Sequence, residues 1–207
     1  MESLDNRELI KTNFIDIVDY DDYLLENTLI ENETVTDMDL RHPIIEFSQL
    51  TNVVLANNSF EKFEINNIQA KNCDFSNANL TEASLYNSKF VNCKFMGTIF
   101  DRAYFKNVEF IGCTFMYANF NESKMECTFS ESRLDDAVFT SMKIKNTHFN
   151  ECEMNNVDFN DTSLKDIDLS SNSFDNLDLS FQELKGVIMN EVQANIMSQK
   201  FLRIKIK

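Results

Sequence analysis

The chain of 207 residues has no tryptophan, one proline (Pro43) and three glycines. So little Pro and Gly leaves no linker composition at which to divide it, and the length suits one domain. There are two histidines, His42 and His148, and spacing puts neither beside a nucleophile. A glycine-rich phosphate loop, H-E-x-x-H and a nucleophile elbow are all missing, so no catalytic residue is assigned and the chain is not expected to be an enzyme. The five cysteines form no C-x-x-C pair, which gives zinc little support; no metal ligand or cofactor is expected. No stretch approaches the ~18 apolar residues of a membrane-crossing helix. The acidic start, Met1 to Glu8, lacks the basic and apolar regions of a signal peptide, so a cytoplasmic location is expected. Positive charge is scarce: 19 Lys and Arg stand against 34 Asp and Glu, a net −15. The basic stripe that phosphate recognition requires is not evident, which disfavours direct nucleic-acid binding.

What the chain has in abundance is a period of five. Phe75, Leu80, Leu85, Phe90, Phe95 and Phe100 begin a run of large apolar residues five apart that continues to Met125. One residue then drops out, and the run resumes from Phe129 to Leu184. Two places before each centre stands a small or compact residue such as Cys73, Ala78, Ala83 or Ser88. Five fits neither a helix nor a flat strand and signals a repeat architecture. If each pentad is one side of a square coil, the centre and the residue two before it both point inward. Four sides make a coil of twenty residues, and coils stack ~4.8 Å apart through parallel hydrogen bonds. Corners then fall two places after each centre, at Asn77, Asn87, Asn92, Gly97, Asn107, Gly112, Asp136, Asn146, Asn156, Asp161, Asp166 and Asn176, residue types that tolerate tight turns. All three glycines (97, 112, 186) share this position.

Runs such as Ala78-Asn79-Leu80, Cys73-Asp74-Phe75, Ala118-Asn119-Phe120 and Val157-Asp158-Phe159 resemble the motif of the pentapeptide-repeat family. The resemblance implies an all-β fold, a right-handed quadrilateral parallel β-helix. Within that family, Asn92 to Thr98, Thr162 to Ser170, and Leu184 to Ile188 with Val192-Gln193-Ala194 resemble the Qnr-type proteins of Gram-positive bacteria. That narrower resemblance implies an acidic rod that mimics duplex DNA, binds DNA gyrase or topoisomerase IV, protects it from fluoroquinolones, and dimerises through its C-terminal end. The alternative is an interaction scaffold for an unrelated protein partner. Unlike the Gram-negative Qnr proteins, the chain has no insertion within 72–184 to form a projecting loop.

The ends read differently from the middle. Residues 1–45 are expected to form an irregular N-terminal cap, since an open solenoid end exposes apolar residues and unpaired backbone. The β-helix is expected over 46–184, its first coil irregular because Pro43, Phe63 and Ile68 are poor inward residues. Residues 185–207 read as a C-terminal cap. Asn190 with Gln193 is a helix-capping pair, predicting a short helix over about 191–199. Phe201-Leu-Arg-Ile-Lys-Ile-Lys alternates like a strand, with Phe201, Leu202, Ile204 and Ile206 as the expected dimer interface.

All five cysteines (73, 93, 113, 127, 152) take the inward small position and read as buried hydrophobes. Charge is uneven: residues 1–71 hold 15 acidic and 5 basic residues, 72–184 hold 18 and 9, and 185–207 hold 1 and 5. Over 150–184 only Lys165 opposes nine acids. Asp158 and Asp178, twenty apart, are expected on one side of adjacent coils, where like charges cost stability. Glu151, Glu153, Asp158, Asp161, Asp166, Asp168 and Asp178 are therefore the candidate partner-binding surface.

Overall fold

A computed structural model describes residues 7–204. The pentads close into four sides, here named A to D in chain order, and about eight stacked coils form a right-handed parallel β-solenoid. Side A runs through Leu25, Ile45, Ile65, Leu85, Phe105, Met125 and Ile144, each paired with the residue one coil on. Side B follows through Ile30, Leu50, Ala70, Phe90, Phe110, Phe129 and Phe149. Sides C and D are held mostly by single bridges, such as Asp74 to Lys94 on C and Asn79 to Ile99 on D.

The corners explain how a chain so poor in glycine can turn so often. Every expected corner residue except Asn176 has a positive φ in the left-handed region, between 47° and 66° for all but Gly186 at 83°. Asparagine tolerates that region, and its amide joins neighbouring coils. Asn52 donates to Asn32 (2.9 Å), Asn77 to Asn57 (3.1 Å) and Asn107 to Asn87 (2.9 Å). Two glycines also leave room for the asparagine ladder: a Cβ on Gly97 would lie 2.5 Å from Asn77 Oδ1, and one on Gly112 would lie 2.6 Å from Asn92 Oδ1, so each Asn side chain would have to shift.

The interior is a set of aromatic columns. Phe95 stacks between Phe75 (5.0 Å) and Phe115 (4.8 Å) on side C. Phe90, Phe110, Phe129 and Phe149 stack at 5.1, 5.1 and 5.3 Å on side B. Spacings near the coil repeat show that the backbone ladder sets the ring stacking. All five cysteines are free and buried, as the inward position requires.

The dropped residue is a corner. Lys106 faces Glu126 and Val108 faces Cys127, leaving Asn107 with no opposite number. Strand Lys124–Ser130 therefore runs straight from side A into side B. The missing corner leaves a cleft of about 230 Å³ between Asn107 and Asn146, floored by Cys127.

The coil begins earlier than the sequence reading places it. Leu24–Glu26 already pairs with Ile44–Glu46, and Ile10–Lys11 pairs with the start of strand Thr28–Glu31. Leu25, Ile30 and Val35 are buried in register with Leu40, with left-handed corners at Asn27, Asn32 and Asp37. Residues larger than Ala or Ser at the positions two before each centre (Tyr23, which turns out to solvent, and the half-buried Glu33 and Met38) hide this start in the sequence. Phe63 and Ile68 are nonetheless buried, Phe63 with its ring 5.5 Å from Phe60 and 6.1 Å from Phe14 of the end cap. The N-terminal end is closed by a short 3-10 helix, Phe14–Asp19, which buries Phe14 and Ile17. Glu33 accepts the Phe14 and Ile15 N–H groups, which that helix leaves unpaired.

The C-terminal helix forms but runs longer than expected, over Glu191–Leu202. The capping pair is present, Asn190 and Gln193 each accepting the other's backbone N–H at 3.0 Å. Gln193 Nε2 also donates to the Leu169 and Asn172 carbonyls (2.8 Å each), tying the helix to the backbone of the last coil. Phe201 and Leu202, expected on a strand, are helical. One turn beyond Met197, Phe201 packs its ring 6.0 Å from Phe181, and Lys200 donates to the Leu177 carbonyl. The helix stops at Arg203, whose φ is 55°. Ile206 lies outside the described residues.

Candidate functional site

A solenoid with a filled interior offers its outer sides for recognition, and each pentad presents the residues flanking its centre. The seven acidic candidates lie on the last coils but not on one side. Asp158 and Asp178 are direct partners on side D. Glu153 is on side C, bridged to Arg133 and Ser173. Asp168 is on side B, bridged to Ile188. Glu151, Asp161 and Asp166 occupy three different corners, B–C, D–A and A–B, all left-handed. The acidity therefore wraps around the rod.

The basic residues do the opposite. Lys106, Lys124, Lys143, Lys145, Lys165 and Lys185 all fall on side A and all are exposed. Register places Lys124 beside Lys143, and Lys106 one coil before Glu126, which Lys145 meets at 3.9 Å. Lys165 and Lys185 follow at twenty-residue steps, and Gly186 approaches Lys165 closely enough to fix the order. Among the described residues Lys106, Lys124, Lys143 and Lys165 make no ion pair. On sides B, C and D of the same coils the only Lys or Arg is Arg133, held by Asp135 (3.1 Å) and Glu153 (2.9 Å). The last coils thus have three acidic sides and one basic side. The sequence reading found no basic stripe because side A is scattered through the chain. The twenty-residue step from Lys145 to Lys165 to Lys185 was the signal that could have exposed it.

Local bonding holds some of the acids as anions. The Ser170 hydroxyl and backbone N–H bond Asp168 and hold its carboxyl below the usual range; the N–H···Oδ1 distance is 2.8 Å. Hydrogen bonds from Ser180 do the same for Glu183. The Lys62 ammonium, then Arg102, lowers Glu82 on the D–A corner, where Lys62, Glu82 and Arg102 form a ladder at 3.4 Å spacings. Burial drives the Cys152 thiol up to about 11 and raises Cys127 well above the ordinary thiol, so neither is a nucleophile at neutral pH. Among the described residues no three His, Cys, Asp or Glu are grouped to hold a metal ion. No helix among them is long and apolar enough to cross a membrane.

Of the dimer candidates, Leu202 is 57% exposed and Ile204 47% exposed. Phe201 is half-buried against the end coil. Phe181, Ile188 and Val192 add exposed apolar surface at this end of the rod.

This architecture defines a class, the pentad solenoids, and comparison with known families places the chain within it. A model of eight pentapeptide repeats matches residues 66–102, and one of a pentapeptide repeat region matches residues 124–198. Together these take in more than half of the sequence, and the chain belongs to the pentapeptide-repeat family. Among solved structures it is similar to HetL, a pentapeptide-repeat protein involved in heterocyst differentiation regulation in the cyanobacterium Nostoc. Identity is 14% and the TM-score 0.51, with 90% of this chain and 89% of that one covered. Full-length QnrB1, a plasmid-mediated fluoroquinolone resistance protein, aligns at 14% identity over 87% of this chain and 100% of its own, with a TM-score of 0.41. No curated protein sequence matches the chain.

Proposed function

We propose that this chain is an acidic rod that binds DNA gyrase or topoisomerase IV in place of DNA and shields the enzyme from fluoroquinolones. The observation that carries the reading is the excess of acid over residues 150–184, nine Asp and Glu against Lys165 alone, with Asp168 on side B, Glu153 on side C and Asp158 and Asp178 on side D. A basic DNA-binding saddle attracts such a surface at long range and pairs with it at short range. The sequence resemblance to Qnr-type proteins supports the choice of enzyme. Exposed Leu202 and Ile204, with Val192, are suited to an end-to-end homodimer that would lengthen the rod. Lysine-bearing side A would face away from the enzyme. The test is a gyrase supercoiling assay with and without ciprofloxacin. Inhibition at high protein, or protection from the drug, is expected; neither effect over a wide concentration range sinks the proposal.

The wider reading, a protein-interaction scaffold, is what the fold alone supports. Affinity capture from native cells that returns one partner, unrelated to topoisomerases, would favour it.

A further inference from the structure

Side A carries an order along the rod that no other side has. Its first three coils present Glu26, Glu46 and Glu64 outward, with no Lys or Arg among the flanking residues. Its middle presents Tyr86 and Tyr104, half-buried, with rings 5.6 Å apart. Its last coils present the lysines. Read from end to end the side is acidic, aromatic, basic.

Such a sequence of charges is complementary to its own reverse. A two-fold axis lying between two facing copies, parallel to the strands, turns the coil axis around and keeps each column opposite itself. With the axis between the coils of Leu85 and Phe105, Glu26 meets the second copy's Lys165 and Glu46 meets its Lys145. Glu64 meets Lys124, and Tyr86 meets Lys106 in cation–π geometry. Each contact occurs twice, as an isologous interface requires. The half-coil offset also keeps Lys106 from facing itself. Eight coils at ~4.8 Å and a side of roughly 15 Å give about 600 Å² per copy, or about 1,200 Å² in all, within the range of specific interfaces.

From this arrangement we propose that side A is a homodimer interface, in which two chains pack antiparallel, side by side, acidic half to basic half. The geometry explains why six lysines, four of them without an ion pair among the described residues, are collected on one side of an acidic protein. It also explains why Tyr86 and Tyr104 sit at the middle of that side. The dimer leaves sides B to D and the C-terminal end free, so it stands or falls independently of topoisomerase binding.

The experiment is sedimentation equilibrium on the full chain, whose monomer is 24.1 kDa, carrying Leu202→Asp so that an end-to-end contact does not enter the reading, with two charge-reversed variants made in that parent. One is Glu26→Lys/Glu46→Lys, the other Lys145→Glu/Lys165→Glu. All four positions are exposed or half-buried, and circular dichroism confirms that parent and variants fold. The Leu202→Asp parent is expected to be dimeric. Each variant alone should dissociate, weakened about a hundredfold or more given the coupling of close interfacial charge pairs. An equimolar mixture should dimerise again, because the reversed halves complement each other. A monomeric parent, variants that remain dimeric, or a mixture that stays monomeric would each overturn the proposal.

Discussion

Replacing Phe95 by Ala tests the stacked interior most sharply. Phe95 is 1% exposed. Its ring lies between Phe75 and Phe115 at 5.0 and 4.8 Å with interplanar angles of 7° and 5°. It also meets Phe90 and Phe110 edge-on at 5.5 and 5.7 Å. Truncating a buried Phe to Ala costs about 3–5 kcal/mol through lost transfer energy and the cavity left behind. With the tilted contact to Phe100 at 5.8 Å the ring makes five aromatic pairs; each adds about 0.5–1.5 kcal/mol beyond area, which places this site at the upper end of that range, near 5 kcal/mol. The backbone ladder on both neighbouring coils prevents collapse into the gap, which again favours the larger value. Because a solenoid is stabilised coil by coil through neighbours, the loss falls in mid-stack and can split the unfolding into two transitions. Urea unfolding followed by circular dichroism measures the loss. Phe181→Ala, at a ring 56% exposed, is the control and should cost about 1 kcal/mol or less. A loss below ~1 kcal/mol at Phe95, or one no larger than at Phe181, would refute the register.

Three further perturbations probe corners, charge and the cap. Gly97→Ala should cost about 1–2 kcal/mol from its left-handed backbone, plus the contact with Asn77 Oδ1; adding Asn77→Ala should recover only the contact, as a double-mutant cycle will read. Asp101 Oδ1 is buried without a hydrogen-bond partner, and burial raises its carboxyl pKa against the pull of Arg102. A raised carboxyl favours folding below its unfolded pKa and loses that contribution as pH climbs through the folded value. Asp101→Asn should therefore stabilise the chain at pH 7 by about 1 kcal/mol, with the gain fading in acid; thermal melts at several pH values will show a gain or its absence. Gln193→Ala removes the side-chain donor of the Asn172 carbonyl and one of the donors to the Leu169 carbonyl, which keeps the Asn172 amide, so the end coil should lose about 1–3 kcal/mol. Hydrogen exchange should show that loosening confined to the last coil, not spread through the stack.

The regular coil was legible because one position does one job. A centre residue that must fill the column is Phe or Leu, and a corner that must turn left is Asn, Asp or Gly. The start was harder to see, since Tyr23, Glu33 and Met38 occupy inward-type positions without the small residues that mark later coils. The helix end was misjudged because Phe201 alternates with Arg203 like a strand, while its contact with Phe181 lies twenty residues away in sequence. The candidate site was half visible. The excess of acid over 150–184 shows in a count, but its division into three acidic sides and one basic side shows only when the coil is wound.

The central claim is tested most directly by competition: purified gyrase carrying a labelled duplex, titrated with the full chain while anisotropy is followed. The account predicts that the wild type displaces the duplex and that Asp158→Lys/Asp178→Lys does so far less well. A duplex that stays bound at every protein concentration, or one displaced equally by both proteins, would contradict it.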